Sequence, residues 1–214
     1  MNISLSYRLL LCLAIATSMT ITGCGALAQF MYIVKGHDIP AEYSAFENSR
    51  VAVVVLTDSS SYGPDPLSDK IEHYIATKLL GNIDDVEIVS KREIDNWTDI
   101  NGWNETNMDE LGKGVNADFV LSVNVEDYKI REGSTIYKGR SEVTVNVFDV
   151  AKNTVSFTSG PDYMEYPENG RPAIQTNDRK FEAFYLAWLT ERIARRFYKY
   201  ESLIDVADEA SFSG

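Results

Sequence analysis

Hydrophobic and polar residues follow several different periods along this chain, and each period predicts a secondary-structure element. Residues 51–56 form a β-branched run without polar alternation, which is typical of a strand buried on both faces between helices. Residues 142–148 alternate cleanly instead, as expected for an antiparallel strand with one solvated face. Further strands are predicted over 86–89, 119–125 and 154–159.

Two long helices are predicted from apolar residues that recur every three or four positions. The first spans residues 67–80, and Gly81 stands where a glycine commonly follows the last helical residue. The second begins near Asn177 and carries an apolar stripe that reaches Phe197. Its arginines are expected opposite or beside that stripe, at Arg192, Arg195 and Arg196.

Capping signals predict two shorter helices between these long ones. Ser90 followed by Glu93 has the form of a capping box, and Asn107 followed by Glu110 repeats that form. The resulting order of elements, βαβααβββα, predicts one mixed sheet of about five strands with helices on both faces. The fold class is therefore α/β, on the border of α+β, in a three-layer domain.

The N-terminal segment differs in kind from the rest of the chain. Arg8 is the only charged residue among the first 23, and the residues from Leu9 to Ile21 are nearly all apolar or small. This is the pattern of a secretory signal peptide. The apolar stretch is also too short to cross a bilayer, which takes ~20 residues.

The residues from Ile21 to Cys24 resemble the bacterial lipobox, in which an aliphatic and two small residues precede a cysteine that receives lipid. The resemblance implies that residues 1–23 are removed and that Cys24 becomes a lipidated N-terminus. The alternative is an ordinary signal peptide that is cleaved elsewhere, for example after Ala28. Gly25 replaces the Asp that retains enterobacterial lipoproteins at the inner membrane, so the analogy favours the outer membrane.

The mature chain is predicted to contain one domain with two tails. We place the domain at residues 50–200 and expect residues 160–176 to form a loop, since they contain three prolines. Residues 24–49 are predicted to be a tether, unless the apolar stretch 30–34 packs on the domain as a strand. Residues 201–214 are predicted to be a flexible acidic tail.

Composition narrows the functional classes. The chain has 214 residues, is 44% hydrophobic and carries a net charge of −12, which is typical of a globular protein but not of a nucleic-acid binder. Such an acidic chain is repelled by anionic membrane surfaces, so it needs an anchor to stay at one. Two cysteines and two histidines leave little material for a disulfide framework or a zinc site.

Five segments follow one another in an order that is shared with a known family, namely 50–56, 86–94, 111–123, 137–140 and 147–153. Together they resemble the periplasmic lipoproteins with a TolB-N-terminal-like domain, which include the curli-secretion lipoproteins and the lipoprotein activators of peptidoglycan synthases. The resemblance implies an envelope protein that acts through protein contacts. Pore-forming members insert extra hairpins, whereas the connections here near 131–134 and 149–153 are short, which favours the adaptor-like members.

No residue pattern predicts an enzyme, a cofactor or a metal. His73 lies on the first helix and His37 in the tether, and neither has a neighbouring nucleophile, so we expect solvated or capping roles. The segment 57–63 follows a strand and precedes a helix, a place where α/β proteins often bind ligands. Asp58 and Asp65 make that end negative, however, and no phosphate-binding glycine motif is present.

Large aromatic side chains in polar segments are the candidates for partner contacts, since such residues often anchor interfaces. Packing in the core or under a lid is the alternative for each. The candidate contact residues are Trp97, Trp103, Tyr163, Tyr166 and Arg171.

The sequence thus predicts a non-catalytic, lipid-anchored envelope protein that binds an unidentified envelope protein and no nucleic acid. Two alternatives remain open at this point. One is a subunit of a homo-oligomeric ring associated with secretion. The other, from a different class, is a hydrolase or nucleotide-binding enzyme that uses the 57–63 segment.

Overall fold

The computed structural model describes residues 38–59, 65–102, 107–168 and 176–201. The chain forms two compact units, one of which comprises residues 40–199. In the other, the structure describes two short strands, Asp38–Ile39 and Tyr200–Glu201, which pair antiparallel. The predicted domain boundary at residue 50 therefore lies inside the larger unit.

The larger unit is built on a mixed five-stranded sheet. Its strands are β1 (Arg50–Thr57), β2 (Glu87–Ile88), β3 (Phe119–Glu132), β4 (Ile136–Asp149) and β5 (Thr154–Tyr166). The spatial order is β2-β1-β3-β4-β5. β1 runs parallel to β2 and β3, while β3, β4 and β5 form an antiparallel meander. The predicted mixed sheet with flanking helices is confirmed, as an α+β fold with an open sheet.

Four helices lie among the described residues, and side-chain caps fix where they begin. They are α1 (Pro66–Asn82), α2 (Lys91–Asn101), α3 (Met108–Gly114) and α4 (Asp178–Ala194). The Asp65, Ser90, Asn107 and Asn177 side chains each accept a hydrogen bond from the first turn of the helix that follows. α1 continues through Gly81 and is capped by Ile83, so the prediction that Gly81 ends the helix is wrong.

One face of the sheet is covered by α1 and α4. Alternate residues of the strands point into this layer, where they are buried together with the apolar stripes of both helices. α4 approaches β4 so closely that a Cβ at Gly139 would lie 2.4 Å from the ring of Tyr185. The buried strand residues on this face are Val51, Val53, Val55, Leu121, Val123, Val125, Val143, Val145 and Val147.

The opposite face carries α2 and α3 near the beginning of β1 and β3. Ile94 of α2 and Leu111 of α3 form an apolar cluster there with Ala52 and Val120. Helices thus lie on both faces of the sheet, which confirms the predicted three-layer arrangement. No described helix is long and apolar enough to cross a membrane.

The segment before β1 packs on the larger unit. Phe46 is fully buried and stacks on Phe197 at a ring-centroid distance of 4.9 Å. The Tyr43 ring packs against Phe157, and its hydroxyl lies 2.9 Å from the Ser156 hydroxyl. Residues 40–49, which we predicted to belong to the tether, therefore contribute to the core.

Two further expectations differ from the structure. Residues 160–166, expected to begin a loop, instead continue β5 along the edge of the sheet, where Gly160 and Pro161 together oppose Thr144. An edge strand tolerates proline because its outer backbone needs no partner. Arg195 and Arg196, expected beside the apolar stripe, are buried and paired with Glu191 and Asp162.

Candidate functional site

The four described helices leave part of the sheet without a described element over it, and that part is polar. We define the open face as the side chains that follow the α2–α3 cluster along β3, β4 and β5 on the same side of the sheet. They are half-buried or exposed, and on β3 and β4 they alternate with buried residues. The open face comprises Ser122, Asn124, Glu126, Glu142, Thr144, Asn146, Thr158 and Tyr163.

Strand register arranges these side chains in rows across the sheet. Asn146 lies between Ser122 on β3 and Thr158 on β5, and the Thr158 hydroxyl donates a 2.8 Å hydrogen bond to Asn146 Oδ1. The next row pairs Asn124 with Thr144. Amide and hydroxyl groups therefore form a surface that both donates and accepts hydrogen bonds.

The following row is acidic. Glu126 and Glu142 are directly opposite each other on neighbouring strands, and both side chains are exposed. Directly opposed like charges destabilise a sheet by about 0.2–1 kcal/mol. The Asn124 amide donates to Glu126 Oε1 at 2.7 Å, but an amide supplies no countercharge. The charges in this row therefore do not stabilise the fold, and folding does not explain why two glutamates lie opposite each other.

Tyr163 completes the acidic row. It lies opposite Glu142 on β5 and is 63% exposed, the largest exposed fraction of any tyrosine among the described residues. Its hydroxyl donates to Glu165 Oε2 at 3.2 Å, which holds the ring at the edge of the open face. A large amphipathic ring beside two carboxylates is a surface that a partner can bury.

Beyond the acidic row, the charges neutralise each other. Lys138 Nζ lies 2.8 Å from Glu165 Oε1, and Arg140 Nη2 lies 2.7 Å from Glu132 Oε1. The hydrogen bond from Lys138 is the main reason that the pKa of Glu165 is lowered. Because this cluster is internally balanced, the uncompensated charge of the open face is concentrated at Glu126 and Glu142.

The structure separates the five predicted contact residues. Tyr163 lies on the open face, whereas Tyr166 is only 8% exposed and packs among the rings of Phe181, Tyr185 and Trp188. Trp97 is half-buried on α2. Its indole fills the space over Gly114 and so packs α2 against α3. Trp103 and Arg171 lie outside the described residues.

The segment proposed for the enzyme alternative is engaged in local structure where the structure describes it. The Thr57 hydroxyl donates to Asp65, which also accepts from Leu67 N at 3.0 Å and thereby caps α1. Asp58 Oδ2 accepts from Asp127 N at 2.8 Å and ties the segment to β3. These carboxylates hold the end of β1 and the start of α1 in place, and residues 60–63 lie outside the described residues.

The two histidines add no second functional group to this region. His73 is exposed on α1 and has Tyr74 as its aromatic neighbour, with ring centroids 6.0 Å apart. His37 lies outside the described residues. Within those residues, no three side chains of His, Cys, Asp or Glu are placed to hold a metal ion.

Sequence reasoning missed Glu126 and Glu142. A signal for Glu142 was present, since it begins the alternating run 142–148 on the polar side. Their juxtaposition was not predictable from local sequence, because it depends on the register of β3 with β4.

No family model matches the chain, and no curated protein matches it significantly. The structure resembles the PelC dodecamer from Paraburkholderia phytofirmans, at 17% identity and a TM-score of 0.43 over 75% of this chain and 95% of that one. It resembles lipoprotein GNA1162 from Neisseria meningitidis at 12% identity and a TM-score of 0.45, over 68% and 98%. It resembles the LpoB C-terminal domain from Salmonella enterica at 10% identity and a TM-score of 0.35, over 62% and 88%. These are likenesses of fold.

Proposed function

We propose that this protein is a lipid-anchored component of the bacterial cell envelope that holds or activates a partner protein and catalyses no reaction itself. Cys24 supplies the anchor, and the domain faces the periplasm from the outer membrane. The open face is the surface that binds the partner. The observation that carries this assignment is the pairing of Glu126 with Glu142 across neighbouring strands of the open face.

Folding requires the covered face of the sheet but gains nothing from the acidic row. The buried valines and Leu121 of the covered face stabilise the domain by burial, whereas the acidic row opposes folding through repulsion. Basic side chains of a partner would remove that repulsion and gain charge-assisted hydrogen bonds. Tyr163 would then supply the buried aromatic contact beside them. The partner is therefore a protein that presents Lys or Arg toward the acidic row.

Photo-crosslinking in cells tests the open face directly. A photoreactive phenylalanine analogue at Tyr163 should crosslink to a different envelope protein. The same analogue at Leu80, which is 55% exposed on α1, serves as the matched control and should not. Equal crosslinking from both positions, or none from Tyr163, would contradict the proposal. Crosslinks only between copies of this chain would favour the homo-oligomeric ring instead.

The anchor has a matched control within the chain. Replacing Cys24 by Ala should abolish lipidation and release the protein from membranes, because the acyl chains provide the membrane affinity. Replacing Cys12, the other cysteine, by Ala should leave the protein lipidated and membrane-bound. Metabolic labelling with an alkyne fatty acid and fractionation measure both effects. A Cys24→Ala protein that stays at the membrane would show that something else anchors it.

A further inference from the structure

A second group of charges joins the two helical layers at the edge of the sheet. Lys91 is the first residue of α2 and lies three positions after Ile88, the end of β2, yet its ammonium reaches α1. Lys91 Nζ lies 2.8 Å from Asp95 Oδ1, 3.1 Å from Asp69 Oδ1 and 3.6 Å from Glu72 Oε2. One positive charge thus serves three carboxylates, two of which belong to α1.

Glu72 differs from the other two acids in this group. Its side chain is 13% exposed, compared with 47% for Asp69 and 37% for Asp95, and it is the acid farthest from the ammonium. Burial raises the pKa of Glu72 to about 7, and the charges of Asp95 and Asp69 add to that effect while Lys91 offsets part of it. The cluster therefore gains a further buried negative charge when Glu72 loses its proton.

Of the described charged groups that face Glu72, Lys91 alone is positive and favours the ionised carboxylate. The groups that face Glu72 are Lys91 and Asp95 from α2 and Asp69 from α1 itself. Toward α4, the lysines of α1 are already engaged, since Lys70 pairs with Glu182 and Lys78 with Glu191.

We propose that the contact between α1 and α2 is a protonation-sensitive latch, in which protonated Glu72 holds α2 against the domain and loss of that proton loosens α2. Another restraint on α2 is the ion pair between Glu93 Oε2 and Arg50 Nη2 of β1, at 2.7 Å. The adjoining β2 strand has only two residues, and α2 contributes Ile94 and Trp97 to the apolar cluster beneath it. Because Trp97 fills the space over Gly114, loosening α2 also frees the packing of α3. The pH of the surroundings thereby controls the mobility of this end of the domain.

Hydrogen exchange of the full protein in detergent tests the latch. Protection of the α2 amides, corrected for the intrinsic pH dependence of exchange, should fall about tenfold between pH 6 and pH 8, if opening returns Glu72 to an ordinary glutamate pKa. Replacing Glu72 by Gln should make that protection independent of pH over this range. The matched control is Glu182→Gln, which removes a carboxylate from the contact between α1 and α4 and should keep the tenfold loss.

Two results would overturn the latch. One is a wild-type protein whose corrected α2 protection does not change between pH 6 and pH 8, and the other is a Glu72→Gln protein that keeps the change. If the Gln variant does not fold, carboxyl ¹³C titration of Glu72 in the wild-type protein decides. A midpoint near neutrality supports the latch, and a midpoint in the ordinary glutamate range contradicts it.

Discussion

The two faces of β4 show how one strand serves two purposes. Val143, Val145 and Val147 are fully buried beneath the helical layer that contains α4, whereas Glu142, Thr144 and Asn146 alternate with them on the open face. The backbone conformation is shared, so only the surroundings of the side chains differ. Substitutions on the covered face should therefore change stability, and substitutions on the open face should change partner binding with little effect on stability.

The largest expected effect lies on the covered face. Phe181 is fully buried in α4 and packs against the rings of Tyr137 and Tyr166. Phe181→Ala should lower the free energy of unfolding by about 3–5 kcal/mol, because it removes buried apolar area and leaves a cavity. Urea denaturation followed by circular dichroism measures this loss. A loss below about 1 kcal/mol would mean that the covered face is not the main core.

A half-buried carboxylate with three partners gives the next largest effect. Glu191 in α4 is paired with Lys78, accepts from Arg195 Nε at 3.0 Å and accepts from the Tyr198 hydroxyl at 2.9 Å. Burial raises the pKa of Glu191, but these partners outweigh it and lower the pKa overall. Glu191→Gln should therefore cost about 1–3 kcal/mol at neutral pH.

The pH dependence of the free energy of unfolding gives a further test of Glu191. Because the folded-state pKa of Glu191 is lowered, its stabilisation is present above the ordinary glutamate range and is lost as the pH falls through the lowered pKa. Urea midpoints of the wild type and Glu191→Gln should converge on acidification. For Glu72, whose pKa is raised to about 7, stabilisation is instead lost as the pH rises from the ordinary glutamate range through 7. Curves that diverge for Glu191→Gln in acid would contradict the first assignment.

The open face should respond in the opposite direction. Glu142→Gln removes one of two opposed like charges, so it should raise the free energy of unfolding by about 0.2–1 kcal/mol. The same variant should lower the yield of partner crosslinks from Tyr163. Thr144→Val, on the neighbouring row, is a control that changes no charge. A destabilised Glu142→Gln protein with full crosslinking would assign this glutamate to folding.

The smallest effect is expected outside both faces. His73 is exposed on α1, so His73→Gln should change the free energy of unfolding by less than about 0.5 kcal/mol and leave the cellular phenotype intact. Complementation of a deletion strain and a urea curve measure both quantities. Loss of function in a folded His73→Gln protein would support the enzyme alternative.

The elements that the sequence predicted correctly depend on local rules. The β-branched run 51–56 lies in β1 between two parallel neighbours. The Ser90 cap also forms as predicted, since its hydroxyl accepts from Glu93 N, while the Glu93 carboxylate accepts from that hydroxyl at 2.8 Å. Both patterns are visible in a short stretch of sequence. The hydrogen bonds of the cap join near neighbours, and the buried strand is one continuous apolar run.

The features that sequence did not predict depend on contacts between distant residues. Lys91 meets Asp69 and Glu72 only because α2 begins beside α1 at the edge of the sheet. Arg196 is buried because Asp162 on β5 pairs with it, and β5 in turn extends past Pro161 because it is an edge strand. The acidic pair of the candidate site was not predictable for the same reason, since strand register and not sequence spacing places Glu126 opposite Glu142.

The mass of the native protein, solubilised in detergent and measured by light scattering coupled to gel filtration, tests the adaptor proposal most directly. The account predicts one copy of this chain, either alone or in a stoichiometric complex with a different protein. Mass spectrometry of that complex would identify the partner. A closed assembly of several identical copies, with no other protein present, would contradict the account and support the homo-oligomeric ring.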